Sequence, residues 1–160
     1  MQVPSTDLGG FAAAKYGAAS VNSGAPSLIT AAGTGDATKV TGATVDRKSA
    51  TDGSLADSAL VATLFLAALA DTETIAFAHE VQYSDDNSNW DDAVELEASD
   101  VKATSSGGTN ETGIVEFSIN LRSQKRYMRV NVTPNLSASG TDTALFATIV
   151  ALSGYARNPQ

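Results

Sequence analysis

The single tryptophan, Trp90, lies in the acidic stretch YSDDNSNWDD. Carboxylate oxygens gathered in one loop are ligands that calcium prefers, but their spacing here matches no EF-hand loop, and short acidic side chains also cap turns. Trp90 and the nearby Tyr83 could stack on a sugar ring, although a tryptophan in a β-sandwich more often fills the core. The cation, sugar and core interpretations all remain open for this stretch, whose acids are Asp85, Asp86, Asp91 and Asp92.

Histidine and cysteine chemistry is almost absent from the chain. There is no cysteine and a single histidine, His79, so neither a disulfide framework, a thiolate site nor a multi-histidine metal site is expected. His79 lies between Phe77 and Val81 in an alternating stretch, which favours a hydrogen-bonded core or interface histidine over a general base. No GxSxG, P-loop or GxGxxG motif occurs. The sequence therefore predicts a protein that is not an enzyme and that needs no cofactor.

The chain is acidic, with 10 Lys plus Arg against 18 Asp plus Glu and a net charge of −8. Phosphate neutralisation needs a basic face, so we expect no nucleic-acid partner. One group of bases could hold a phosphate, but a solvated face or ion pairing with the acidic middle of the chain is favoured. This group consists of Arg122, Lys125, Arg126 and Arg129.

Membrane and export signals are also missing. The most apolar stretch, residues 58–70, is far shorter than the roughly 20 residues that a membrane-spanning helix needs. The N-terminus lacks the basic start and the continuous apolar run of a secretory signal. We therefore expect no membrane partner and a protein that is made in the cytoplasm and is not exported.

Period-two alternation is the main structural signal. Residues 74–96 read as a strand, a polar turn and a second strand, and the strand-like stretch 126–133, RYMRVNVT, is expected to pair with this hairpin. Residues 114–121, IVEFSINL, alternate equally clearly. These stretches predict antiparallel strands with one buried and one wetter face.

The remaining strands are less clear. Residues 26–32 and 38–48 read as short strands, and residues 98–103 as a weak edge strand. Residues 58–69 are ambiguous between helix and strand, and we favour a strand buried on both faces. Residues 143–152 are apolar on both faces, as in a central strand or one that meets another subunit. With about eight strands and no convincing helix, the predicted fold is all-β, an antiparallel β-sandwich or jelly roll.

The predicted domain covers residues 26–160 and is preceded by an extended N-terminal arm, residues 1–25. The arm is rich in Gly, Ala and Ser and buries too little apolar surface to order alone. It is either a frayed tail or a segment that orders against a partner through Phe11 and Tyr16.

Four segments together resemble the small head decoration, or cement, proteins of tailed bacteriophages. The resemblance covers roughly residues 40–157, and the run from Arg126 to Thr143 is its most distinctive part. The four segments are GATVDRK (42–48), VQYSDDNSNW (81–90), RYMRVNVTPNLSASGTDTA (126–144) and ALSGYAR (151–157).

The resemblance implies a structural protein on the exterior of the virion that bridges major capsid subunits and self-associates as a trimer or dimer. A tail or neck component of similar fold is an alternative. YSDDxxxW followed by RYxRV is also similar to discoidin-type sandwiches, which implies carbohydrate binding as a second alternative. The partner-binding residues that we expect are Phe11, Tyr16, Leu145, Phe146, Ile149 and Tyr155.

Overall fold

The computed structural model describes residues 18–20, 27–49, 53–138 and 140–154, and within these residues the regular structure is entirely β. The described residues form nine strands: β1 (Ala18–Ser20), β2 (Ser27–Thr30), β3 (Val45–Asp46), β4 (Ser58–Ala68), β5 (Thr74–Ser84), β6 (Val94–Thr104), β7 (Asn110–Asn120), β8 (Tyr127–Leu136) and β9 (Thr143–Ser153).

The strands form two antiparallel sheets. One has the order β1-β9-β4-β7, with β2 also paired to β9, and the other has the order β3-β8-β5-β6. Both β1 and β2 lie along the same edge of β9, where Ala18 faces Ala151 and Leu28 faces Leu145, so they act as one interrupted strand. Counted this way, eight strand positions are divided equally between two four-stranded sheets in the order of a jelly roll. The predicted fold class is confirmed.

The predicted pairing of residues 74–96 with residues 126–133 is also confirmed. β5 pairs with β8 in the register Val81 opposite Val130 and Tyr83 opposite Met128, and all four side chains are buried. The alternate positions of both strands turn away from the core. Period-two alternation in each strand thus sets the register, because a shift of one residue would expose every one of these side chains.

Aromatic rings from both sheets meet at the centre of the core. Phe65 of β4 lies opposite Phe146 of β9 in the sheet register, and Phe77 of β5 packs across from them with ring centroids 5.4 and 5.6 Å away. Gly113 of β7 makes room for this cluster, since a Cβ there would lie 2.6 Å from Cζ of Phe65. A side chain at position 113 would therefore displace the central ring.

Two strand predictions are wrong in part. β4 is a strand, but it is buried on one face only, and Leu60, Leu64 and Leu66 are exposed. In the predicted strand 38–48, only Val45–Asp46 pairs regularly, preceded by an isolated bridge between Val40 and Val132. The small side chains of this segment bury little surface against the sheet, which leaves it as an irregular cover over the free edge of β8.

Arg47 fixes the loops at the end of the sandwich where β3 lies. Its side chain is 1% exposed. Its guanidinium donates to backbone carbonyl oxygens from the segment before β4 and from the β7–β8 loop. A buried charge is tolerated here because several carbonyl dipoles solvate it. The acceptors are Ala56, Leu121, Gln124 and Lys125.

The predicted N-terminal arm falls mostly outside the described residues. The exception is β1, which lies inside the range 1–25 and pairs with β9. Phe11, Tyr16 and Tyr155 also lie outside, so their predicted roles stay predictions. Within the described residues there is no helical segment with the length and hydrophobicity that a membrane span requires.

Candidate interaction face

The outer face of the β1-β9-β4-β7 sheet, to which β2 also belongs, is the most distinctive surface of the molecule. Strand alternation turns Phe65 and Phe146 into the core and therefore turns their neighbours outward. In the sheet register, Leu28, Leu145 and Leu66 form one row across β2, β9 and β4. Leu64 and Ile114 form the next row, across β4 and β7. We call this surface the leucine face.

The leucine face is both exposed and nearly uncharged. Its seven large aliphatic side chains are 39–63% exposed, although residues of this type are normally buried. A shallow apolar depression lies among Leu64, Leu66, Leu145 and Ala147. Glu116, opposite Ala62, is the one charged residue that the described strands place on this face. The seven side chains are Leu28, Leu60, Leu64, Leu66, Ile114, Leu145 and Ile149.

The face contains two of the predicted partner-binding residues. Leu145 is 39% and Ile149 is 40% exposed on the outer side of β9. Phe146 is 1% exposed and lies in the core, so its assignment to a partner-binding surface is wrong. The cause is alternation, since residue 146 must face opposite to residues 145 and 149. Sequence analysis missed Leu64 and Leu66, because β4 was predicted to be buried on both sides.

The outer face of the other sheet is polar. Lys39 forms a 2.7 Å ion pair with Glu80 of β5. Gln82 of β5 accepts hydrogen bonds through Oε1 from Nε of Arg129 at 2.9 Å and from Nδ2 of Asn131 at 3.0 Å. The two outer faces of the sandwich therefore differ in chemistry, one aliphatic and one hydrogen-bonded and charged.

Trp90 lies on this polar side and does not fill the core. It is partly exposed, and the guanidinium carbon of Arg129 stands 4.2 Å from its ring centroid, a cation–π contact. Tyr83 is 6% exposed, and burial raises the pKa of its hydroxyl. The two rings therefore do not form a joint sugar-stacking surface, and the expectation that Trp90 is a core residue is also wrong.

Three of the four acids around Trp90 are committed to turn and ion-pair contacts, and the fourth, Asp92, is exposed. Asp86 Oδ1 accepts hydrogen bonds from the backbone N–H groups of Asn89 and Ser88. These bonds hold the pKa of the Asp86 carboxyl far below its usual range, and the bond from Asn89 has the larger effect. Asp91 and Asp85 lie 2.5 and 3.7 Å from Nζ of Lys125. Nowhere in the described residues do three His, Cys, Asp or Glu side chains gather in a way that could hold a metal. The geometry favours turn capping over a calcium loop.

The basic group pairs with acids or stacks on a ring. Arg126 binds Asp46 at 2.6 Å, and Arg122 lies 3.6 Å from Asp57. Lys125 and Arg129 make the contacts with Asp91 and Trp90 given above. A solvated face or ion pairing with the acidic middle of the chain, residues 53–100, was the favoured interpretation of this group. Three of its four members form ion pairs; Arg122 and Lys125 pair with acids of that middle, whereas Arg126 pairs with Asp46 before it.

His79 is a core residue, as the alternation predicted. It is fully buried, its Nε2 lies 2.9 Å from Oγ1 of Thr63, and that hydroxyl lies 2.7 Å from Oγ1 of Thr148. Burial lowers the pKa of His79 to about 4, Glu97 at 3.7 Å raises it less strongly, and Lys102 lowers it slightly. A neutral imidazole that no solvent reaches is in no position to act on a substrate.

Comparisons with known proteins bear on the fold. No family model and no curated protein matches the sequence. A solved structure of the infectious bursal disease virus Gx strain is similar over 88% of this chain and 33% of the other, with a TM-score of 0.51 and 6% identity. The VP2 subviral particle of the same virus is similar over 86% and 32%, with a TM-score of 0.48 and 5% identity.

The chain thus spans about a third of the length of the viral chains that it resembles. At 6% identity the likeness to the Gx strain structure establishes the fold and nothing finer. The chain has a jelly-roll fold similar to that of a protein from a virus particle.

Proposed function

We propose that this chain is a structural virion protein that decorates the exterior of a tailed-bacteriophage head, binding the major capsid protein and its own copies. The observation that carries the proposal is the contrast between the leucine face and the polar outer face of the other sheet. This asymmetry supports a structural role in which one face of the sandwich packs against protein and the other faces water. The four segments that resemble head decoration proteins, and the jelly-roll fold, support the same role.

A second copy of the chain is the proposed occupant of the leucine face. If each of these residues, backbone included, presents roughly 200 Å² when fully exposed, the seven together expose on the order of 650 Å², close to the ~800 Å² per partner of a stable interface. The face is a sheet surface, and two such surfaces pack flat against each other about 10 Å apart. Glu116, the single charge, lies on β7 at the edge of the sheet, where it can stay solvated.

Self-association would give the protein its hold on the shell. Each copy in an oligomer contributes its own contact with a capsid subunit, and simultaneous contacts bind far more tightly than single ones. An oligomer seated across neighbouring subunits would bridge them and stabilise the head. No catalytic group is needed for this work.

The virion role is tested by measuring copy number in purified phage particles. We expect the chain in fixed proportion to the major capsid protein, in density on the outer surface of the head. A few copies per particle would instead favour a tail or neck component. Absence from particles would overturn the proposal altogether.

A further inference from the structure

One end of the sandwich carries an acidic set of loops. Strands β4, β8 and β6 end there, and neither the loops that follow them nor residues 31–38 of the loop after β2 contain Lys or Arg. Lys39, farther along the loop after β2, forms an ion pair with Glu80 of β5. Most of the acids in these loops accept hydrogen bonds. Asp36 accepts them from the backbone N–H groups of Ala32 and Leu136. Asp71 accepts one from the backbone N–H of Gly107, and Glu73 accepts one from the Ser137 hydroxyl.

Asp142, in the loop after β8, differs from these acids because it is buried and only one of its two carboxylate oxygens is bound. The residue is 2% exposed. Its Oδ1 accepts hydrogen bonds from the N–H of Ala70 at 3.0 Å and from the Thr141 hydroxyl at 3.4 Å, and its carbonyl oxygen accepts one from Ala31 at 2.9 Å. Its Oδ2 is buried and has no hydrogen-bond partner within the described residues. Nor does any Lys or Arg of the described chain form an ion pair with it.

A buried carboxylate oxygen without a donor is unfavourable, because the charge has lost its hydration and gained nothing in return. Three things can restore the balance: a proton, a water molecule or a cation. The surrounding loops have no counter-charge of their own, and their other acids add to the negative potential at this end. A positive ion is the occupant that this potential favours.

Room for such an ion lies next to Asp142. A depression of about 230 Å³ is lined by Asp142 together with Thr109, Asn110 and Thr141, whose side chains carry oxygen atoms. Ala68, Leu69, Ala70 and Gly108 complete the wall. Gly108 has a φ of +72°, a backbone conformation that favours glycine.

We propose that this depression binds a hard divalent cation of the calcium class, with Oδ2 of Asp142 as its charged ligand and neutral oxygens of Asn110, Thr109 and Thr141, with water, as the others. Calcium accepts six to eight oxygen ligands in irregular geometry, including amide and hydroxyl oxygens, whereas magnesium needs a tighter octahedron. With one carboxylate the site would be weak. The bound ion would tie the loops after β6 and β8 together.

The test is the thermal unfolding of the full chain with CaCl₂ and with EDTA, repeated with MgCl₂. We expect calcium at millimolar concentration to raise Tm by several degrees and magnesium to raise it less. Calorimetric titration with CaCl₂ should show one site per chain. If calcium leaves Tm unchanged and calorimetry shows no binding, the proposal is wrong.

Asp142→Asn is the decisive variant, because it keeps the size of the side chain and removes its charge. We expect it to fold, to lose the calcium shift, and to be no less stable than the wild type in EDTA. Asn110→Ala, at an exposed position, should reduce the shift, and it serves if Asp142→Asn fails to fold. Asp92→Asn, in the exposed turn beside Trp90, should keep the full shift. A shift that survives Asp142→Asn, or that disappears in Asp92→Asn, would refute the site.

Discussion

His79 makes the fold sensitive to mild acid. Its pKa is about 4 in the folded chain and near 6.5 when unfolded, so the unfolded state binds the proton more tightly. Stability is therefore lost as pH falls from about 6.5 towards 4, by up to roughly 3 kcal/mol at one pKa unit per 1.36 kcal/mol. His79→Gln should lose much less over this range. Urea unfolding of the wild type and of His79→Gln at pH 7 and at pH 4.5 measures the loss of stability in each protein.

Other titrating groups do not mimic this effect. Arg126 holds the pKa of Asp46 below its usual range, and stability from that carboxyl is lost at lower pH, as the pH falls through its depressed pKa. Glu97 and Lys102, the charged groups nearest His79, are retained in the His79→Gln variant. Equal losses of stability in the wild type and the variant between pH 7 and 4.5 would show that His79 does not control the acid response.

Arg47 is the residue on which the loops at its end of the sandwich depend. Arg47→Met keeps most of the side-chain volume but removes the donor from two buried and two partly buried carbonyl groups. We expect a loss of at least about 3 kcal/mol in the free energy of unfolding. Lys48→Met, at the exposed neighbouring position, should change it by less than about 0.5 kcal/mol. Similar values from urea denaturation for both variants would contradict the role of Arg47.

The hairpin of β5 and β6 is held by its buried strand and not by its tryptophan. Trp90→Ala removes the contact with Arg129 and should cost about 1 kcal/mol, the value of an exposed cation–π pair. Phe77→Ala, in the same hairpin, should cost about 3–5 kcal/mol because it empties the core. Chemical denaturation of both variants gives the comparison, and an unfolded Trp90→Ala protein would restore the core interpretation.

The leucine face is an element-scale prediction of its own. Leu64→Glu puts a charge where two copies are proposed to meet, so the dissociation constant for self-association should rise at least tenfold, while the exposed site leaves the fold intact. Val101→Glu, at an equally exposed position on β6, is the matched control and should associate as the wild type does. Sedimentation equilibrium measures all three. A wild-type protein that stays monomeric at every concentration would overturn self-association through this face.

Strands with polar residues on one side could be predicted from the sequence alone. In β5, β7 and β8 the alternation predicts both the strand and the face that is buried. In β7, for example, Val115 and Ile119 are buried and Glu116 is exposed. In β4 and β9 both faces are apolar, and a buried outer face cannot be distinguished by composition from an exposed adhesive one. That is why Phe146 was assigned to the wrong side and Leu64 and Leu66 were missed.

Residues that depend on distant parts of the chain could not be predicted. The partner of Trp90 is Arg129: the sequence predicts that residues 126–133 pair with the hairpin of Trp90, but not that this guanidinium stands against its ring. Asp142 follows a turn-rich segment, where an acid is common and predicts no particular role. Its unpaired carboxylate oxygen arises only because residues of the loops after β4 and β6 pack around it in the fold. Packing between segments, which no local pattern encodes, decides both cases.

At the scale of the whole molecule, the jelly roll separates three chemistries. The leucine face is aliphatic, the outer face of the β3-β8-β5-β6 sheet is polar, and the two loop ends differ in charge because the bases of Arg122 to Arg126 lie at one end only. A block with one adhesive side suits assembly into a layer, and its acidic surface limits adhesion to other anionic material.

The predicted N-terminal arm is the last part of this architecture to test, and the test depends on the proposed function. Deleting residues 1–17, which include Phe11 and Tyr16, keeps the pairing of Ala18–Ser20 with β9, so Tm of the free domain should stay nearly unchanged. Attachment to phage heads that lack the protein should weaken, as measured by co-sedimentation. Deleting residues 1–25 also removes β1 from the edge of β9 and should lower Tm as well. Unchanged attachment after the shorter deletion would show that the arm does not bind the capsid. This outcome would leave the proposed self-association through the leucine face untouched.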